Sequence, residues 1–84
     1  MEELYEMEEL YEILNELQPG VDYETADDLV DGHVLHSLTI LALVAELEDS
    51  FDITIPAVEI IPENFNSAAA MGNMIERLQK GDWQ

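Results

Sequence analysis

Hydrophobic residues near the start of the chain recur at spacings of three and four, which is the period of an amphipathic helix. They cover residues 4–17, so we predict a first helix over this stretch. The turn-forming pair Pro19-Gly20 follows and ends the helix. The stretch from 21 to 30 then carries apolar residues among acids, and a short turn of helix within it stays open. We therefore expect a long loop after the first helix.

Ser37 stands immediately before a second helical pattern, which has apolar residues on two faces. One face forms a stripe that we expect to enter the core: Ile40, Leu43, Val44, Leu47 and Phe51. Leu38, Leu41 and Ala45 lie on a different face at the same helical spacings. A domain this small cannot easily hide both faces. The second face is therefore a candidate docking surface.

The last third of the chain contains a helix break and then a final helical pattern. Pro56 forces the break, and we predict a short helix over 57–61. Asn66 or Ser67 is the expected cap of a last helix over 68–80. The core residues predicted for this helix are Met71, Met74, Ile75 and Leu78. The fold class expected is all-α, a small four-helix bundle of three main helices and one short helix.

Acidic residues outnumber basic ones by a wide margin in this 84-residue chain. Twenty acids face two basic residues, Arg77 and Lys80, and the formal net charge is −18. Such a chain repels nucleic acid and anionic membrane surfaces, but it attracts a partner with a basic patch. Solubility alone is the simpler explanation for most of these acids. Loose binding of divalent ions by the acid excess stays open.

Length and local composition indicate one domain over 1–84 in the cytoplasm. The hexamer at 1–6 is repeated at 7–12, so we interpret 1–6 as a duplicated N-terminal extension. It is acidic and periodic, unlike a signal peptide. No apolar run is long enough for a membrane span. We expect 81–84 to be a frayed tail.

Residues 31–38, Asp-Gly-His-Val-Leu-His-Ser-Leu, resemble the phosphopantetheine attachment motif of acyl carrier proteins. That family usually frames the serine as Asp-Ser-Leu. Residues 43–56 are similar to the family's second helix and its Phe-Asp-x-x-Ile-Pro exit. The spacing from Ser37 to Pro56 fits without a gap, and the resemblance covers essentially the whole chain beyond the duplicated hexamer. It looks closest to free-standing carriers of the D-alanyl or peptidyl type.

The resemblance implies a carrier protein without catalytic activity of its own. Ser37 would hold a 4′-phosphopantetheine arm taken from coenzyme A, and the arm would present an acyl or aminoacyl thioester to partner enzymes. A phosphodiester at the start of a helix lies beside free N–H groups and the positive end of the helix dipole. The residues that flank this attachment site are Asp31, Gly32 and His36.

The resemblance also implies which surfaces and partners are involved. The partner-facing residues by this comparison are Leu38, Leu41, Ala45, Glu48 and Asp49. The partners would be a phosphopantetheinyl transferase and an adenylating ligase or acyltransferase with a basic patch. Carriers of this kind look monomeric, and we expect a monomer.

His36 departs from the family pattern, which usually has an aspartate there. In many carriers that acid helps the modifying transferase to dock. Natural divergence, an altered sequence and poor modification of Ser37 are the explanations left open. Thr39 and Ala42 also stand where the family has acids, so this helix presents fewer acidic residues to a partner than is usual in the family.

Other roles would use some of the same residues. Ser37 would also serve as an ordinary helix cap, and an unmodified acidic interaction module would dock through the same helix face. A hydrolase would need Ser37 with His33 or His36 and Asp31, but no Gly-x-Ser-x-Gly elbow is present. The same histidines do not have the spacing of a recognised zinc motif.

The charge excess generates a first prediction. Because 20 acids repel one another in the folded chain, the melting temperature should rise when sodium or magnesium chloride is added. Thermal unfolding followed by circular dichroism at increasing ionic strength measures this. A melting temperature that stays level or falls would contradict the prediction.

Overall fold

Helices make up all the regular secondary structure that the structure describes. The computed structural model describes the backbone of residues 2–80 and the side chains of residues 7–80. Its α-helices are α1 (Glu2–Leu17), α2 (Ser37–Phe51), α3 (Pro62–Phe65) and α4 (Ala68–Gln79), with a 3₁₀ turn at Ala57–Glu59. The all-α bundle of three main helices and one short helix is confirmed. The predicted tail at 81–84 lies outside the described residues.

The first helix buries one side and ends against the acidic loop. Leu10, Ile13 and Leu14 are buried on α1, and Ile13 extends the stripe that the spacing of three and four predicts. Gly20 has a φ of 87°, a left-handed conformation that glycine adopts readily. The chain then returns so that the buried Tyr23 hydroxyl donates a hydrogen bond to the carbonyl of Gln18. Tyr23 therefore satisfies a free carbonyl at the end of α1.

Helix α2 packs against α1, and α4 contacts both α1 and α3. Leu43, Leu47 and Phe51 are buried on α2, as the stripe predicts. The other two members of the stripe, Ile40 and Val44, are half-buried and pack against the edge of the core. The core is thus one cluster built from the four α-helices and the loop residues between them, with Phe65 as the contribution of α3.

The short helix predicted over 57–61 is wrong in its position, because the short α-helix lies further along the chain. Residues 57–59 form a single 3₁₀ turn, and the short α-helix begins at Pro62. Proline is favoured in the first turn of a helix, where no N–H donor is needed and its φ is already suitable. Pro62 therefore starts α3 instead of ending an earlier helix.

The last helix has the boundaries and core that its pattern predicts. Ser67 is the cap, because its Oγ accepts a hydrogen bond of 3.0 Å from the N–H of Ala70. The predicted core residues Met71, Met74, Ile75 and Leu78 are all buried. Phe65, at the end of α3, is also buried against this helix. None of the described helices is both long and apolar enough to cross a membrane.

An ion pair joins the 3₁₀ turn to the last helix. Both side-chain oxygens of Glu59 accept from the Arg77 guanidinium, at 3.2 Å and 3.1 Å. The amide of Asn64 also donates to Glu59, once to its carbonyl and once to its carboxylate. The hydrogen bond from Arg77 is the main cause that lowers the pKa of Glu59 below its ordinary value of 4.5.

This lowered pKa generates a prediction about acid stability. A carboxylate whose pKa is lower in the folded state stabilises the fold above its unfolded pKa, and the contribution is lost as the pH falls through the folded pKa. Glu59→Gln should therefore lower the melting temperature at pH 7, and the difference from the wild type should shrink below about pH 4.5.

Thermal unfolding of both proteins from pH 7 to pH 3 measures this difference. Acid also relieves the general repulsion among carboxylates, so the comparison between the two proteins is the informative quantity. Glu63→Gln, at an exposed position on α3, is the matched control and should show little difference at any pH. An equal deficit for Glu59→Gln at every pH would contradict the prediction.

Candidate functional site

Ser37 is the first residue of α2, and its side chain is exposed. His36 occupies the cap position with an extended backbone, and no side chain caps this end of the helix. The interpretation of Ser37 as an ordinary cap is therefore wrong, because the cap position lies one residue earlier. Among the described residues, no hydrogen bond involves the Ser37 hydroxyl. It remains available for modification at a helix end whose first N–H groups lack side-chain partners.

The chain before Ser37 is held in a tight loop. Gly32 donates to the carbonyl of Asp28 at 2.6 Å, and a Cβ on Gly32 would lie 2.7 Å from that same oxygen. A residue with a side chain would therefore force the loop apart. His33 follows with a φ of 61°, a conformation that few residues other than glycine adopt without strain. Residues 34 and 35 then donate to the carbonyl of the buried Leu29.

Asn66, which lies between α3 and α4, holds this loop through hydrogen bonds. Its side-chain oxygen accepts from the N–H groups of Val30 at 2.9 Å and Asp31 at 3.0 Å. Its amide donates to the Asp31 carboxylate at 3.0 Å, and its carbonyl accepts from the N–H of Leu29. Asn66 was predicted only as a possible helix cap. Its polar, half-buried position between two structured segments is a tertiary feature that helix periodicity does not reveal.

The C-terminal end of α2 is closed by Glu48. The backbone at Asp52 turns left-handed with a φ of 56°, and its N–H donates to the carbonyl of Glu48. The carboxylate of Glu48 accepts a hydrogen bond of 2.8 Å from the N–H of Ile55. Glu48 therefore stabilises the exit from the helix, whereas Asp49 is exposed. The partner-facing roles assigned to these two acids stay predictions.

The residues of the predicted docking face are exposed on α2, and their role in docking stays a prediction. Leu38 and Leu41 are 81% and 60% exposed, and Ala45 is exposed one turn further along α2. The structure adds Val58, on the 3₁₀ turn, and Ile61, which are also exposed. These two exposures were not predicted, because the helix expected over 57–61 does not form and the side of the segment that faces solvent depends on its path.

The two histidines do not form a catalytic or metal-binding arrangement with Ser37 in the described part of the chain. Both imidazoles are exposed, and neither shares a hydrogen bond with the serine there. No three side chains of the types that bind metals come together among residues 7–80. What the arrangement offers chemically is an accessible hydroxyl at the positive end of a helix, beside an apolar face.

An exposed serine at the start of a long helix, in a small acidic bundle, is the arrangement expected of a carrier. A comparison with models of known protein families gives no match for the chain. Individual proteins do match. The D-alanyl carrier proteins of Streptococcus mutans, Streptococcus gordonii and Streptococcus sanguinis are each 38% identical to it over 61 residues. Each match covers 71% of this chain and 77% of the relative.

The chain belongs to the family of phosphopantetheine-type carrier proteins. Relatives of this identity match most of its length and most of their own. The resemblance drawn from the sequence is confirmed at the level of the family. The protein is a carrier and not an enzyme.

The clamp formed by Asn66 generates a prediction for the site. Asn66→Ala removes three side-chain hydrogen bonds and should lower the free energy of unfolding by about 1–3 kcal/mol. Amide hydrogen exchange at Val30 and Asp31 should also become faster, because both N–H groups lose their acceptor.

Urea unfolding and amide exchange measured by NMR check these two effects. Asn15→Ala is the matched control, since Asn15 is exposed and donates one hydrogen bond within α1. Unchanged exchange at Val30 and Asp31 in the Asn66 variant would show that the loop holds its conformation without the clamp.

Proposed function

We propose that this protein carries a small acyl or aminoacyl group as a thioester on a 4′-phosphopantetheine arm attached to the Ser37 hydroxyl. D-alanine is the first candidate for the cargo, because the similar streptococcal proteins are named D-alanyl carrier proteins. The observation that carries the proposal is the free, exposed hydroxyl of Ser37 at the start of α2.

The residues around Ser37 suit a phosphodiester. In a chain with 20 acids, the first turn of α2 contains none, so its own side chains do not repel a phosphate. The free N–H groups and the dipole of this helix end favour an anion. The arm would supply the terminal thiol that this cysteine-free chain lacks. The protein chain itself would hold the arm and offer a surface that partner enzymes recognise.

The fixed loop before Ser37 supports this role in a second way. Hydrogen bonds made by Asn66 and Gly32 hold residues 28–32 together, which favours a defined position for the serine when a partner binds. A preorganised site loses less conformational entropy when an enzyme binds it. Asp31 and His36 flank the serine on the surface, where an enzyme acting on Ser37 would meet them.

The partners proposed are a phosphopantetheinyl transferase, which would attach the arm, and an adenylating ligase or acyltransferase, which would load it. Both would contact Leu38, Leu41 and Ala45, which form an exposed apolar face beside the serine. The charge of −18 favours partners with a basic rim and speeds their encounter with the carrier. We place this activity in the cytoplasm, in a single domain that acts as a monomer.

The first test is the intact mass of the protein after incubation with a broad-specificity phosphopantetheinyl transferase, magnesium and coenzyme A. We expect a gain of one phosphopantetheine on the wild type and none on Ser37→Ala. The variant should fold normally, since the Ser37 hydroxyl makes no hydrogen bond among the described residues. Circular dichroism of both proteins controls for folding.

A second variant shows whether a lack of modification is caused by His36 or by the site as a whole. If the wild type gains no mass, His36→Asp restores the residue that the family usually has. Modification of that variant alone would assign the failure to His36. Absence of modification in both would reject the carrier role of Ser37 and favour the unmodified interaction module, which keeps its partner when Ser37 is replaced by alanine.

A further inference from the structure

Three consecutive backbone N–H groups in the loop before Ser37 are bound by a single residue. The N–H of Leu29 donates to the main-chain carbonyl of Asn66 at 2.9 Å. The N–H groups of Val30 and Asp31 donate to the side-chain oxygen of Asn66 at 2.9 Å and 3.0 Å. These donors belong to a segment outside the helices, where no neighbouring turn of helix would otherwise accept them. Asn66 therefore determines the path of the backbone at this point.

Leu29 carries this constraint towards the serine. Its side chain is fully buried, and its carbonyl accepts from the N–H groups of Val34 at 2.9 Å and Leu35 at 2.8 Å. Leu35 is also buried, with 3% of its surface exposed. Helix α2 begins only two residues later, at Ser37. A continuous series of contacts thus leads from Asn66 through Leu29 to the start of α2.

The carboxylate of Asp31 completes this arrangement. Asp31 is exposed, but one of its carboxylate oxygens accepts a hydrogen bond of 3.0 Å from the side-chain amide of Asn66. The N–H of Asp31 donates to the oxygen of the same amide. Two hydrogen bonds of opposite direction therefore join the residues, and they need both a donor and an acceptor at position 66. A carboxylate at position 66 would keep the acceptor, lose the donor and repel the charge of Asp31.

We propose that Asn66 and Asp31 are positioning residues for the modification of Ser37, and that the Asp31 carboxylate acts through Asn66 instead of contacting the transferase. This inference rests on the proposed function. It gives Asp31, which the resemblance places beside the attachment site, a role inside the carrier. The pair keeps the backbone before the serine in the conformation that the enzyme binds. A carrier that holds this conformation for only a fraction of the time binds more weakly in proportion to that fraction.

An exchange of the two side chains tests the inference. The variants are Asn66→Asp, Asp31→Asn and the two together, and the measurement is the KM and kcat of the broad-specificity transferase for each unmodified carrier. We expect Asn66→Asp to raise KM about three- to tenfold with kcat nearly unchanged, because the loop must then be ordered when the enzyme binds. Asp31→Asn alone should change KM by less than about twofold, since an amide oxygen still accepts from Asn66.

The doubly substituted variant gives the decisive comparison. It restores the pair with donor and acceptor exchanged, and it leaves the net charge of the chain unchanged. KM should therefore return to within about twofold of the wild-type value, which is a strongly non-additive result. If the Asp31 carboxylate contacted the transferase directly, Asp31→Asn would raise KM by itself and the second substitution would not restore it.

Ile13→Val separates positioning from a general loss of stability. Ile13 is buried on α1, outside the pair, and loss of one methyl group there destabilises the fold. Every KM is measured at a temperature at which circular dichroism shows all the variants to be folded. We expect an unchanged KM for Ile13→Val beside a raised KM for Asn66→Asp. Equal increases for these two variants would overturn the positioning role.

The possible failures are distinguishable. An unchanged KM for Asn66→Asp, with the wild type modified normally, overturns this inference and leaves the proposed function standing. Additive effects in the doubly substituted variant do the same. If the wild type takes up no arm, the variants are compared in the His36→Asp background. If that background takes up no arm either, the proposed function fails and this inference fails with it.

Discussion

Burial of one side of α2 is the constraint on which the rest of the structure depends. Leu43 and Leu47 are completely buried, and they bring α2 against α1 and the common core. A chain of 84 residues builds one core of limited size. Once that core has taken one side of α2, nothing among the described residues covers the other. The exposed Leu38 and Leu41 are therefore a consequence of the same helix being apolar on two faces.

The distribution of charge complements this division. Acids cover a surface that has very few basic residues, and their mutual repulsion opposes compaction. The apolar core and a small number of well-placed hydrogen bonds oppose that repulsion. The acids that accept such bonds include Glu48 at the exit from α2, Glu59 in the 3₁₀ turn and Asp31 in the loop before Ser37. The first turn of α2, in contrast, is left without any acid, which keeps the surroundings of Ser37 suited to a phosphate.

Sequence periodicity predicted most of the fold. The three long helices, the buried stripe of α2 and the core of α4 all follow from apolar spacing, because burial of one helix face leaves a repeating pattern. The segment from 57 to 65 was harder, since proline signals both the end of one helix and the start of another. Only the three-dimensional path showed that Pro62 begins α3.

The candidate site was predicted in part. The serine, its preceding glycine and the exposed leucines were found from spacing and resemblance. The exact cap was not, because His36 and Ser37 differ by a single backbone position that depends on local φ and ψ. Asn66, Glu48 and Val58 were missed or given other roles. Each depends on a contact or an exposure that the folded chain creates, and neighbouring sequence carries no trace of it.

The clamp at Asn66 has a consequence for the order in which the protein matures. Its side chain accepts hydrogen bonds from Val30 and Asp31, which lie 36 and 35 positions earlier in the chain. The loop before Ser37 therefore lacks these bonds until residue 66 has been synthesised. Contacts between residues distant in sequence also form slowly, because the entropy of closing the intervening chain is lost first. A nascent chain that has released only its first two helices from the ribosome would still present Ser37 on an unfinished loop. The site is therefore completed only when the last third of the chain has emerged.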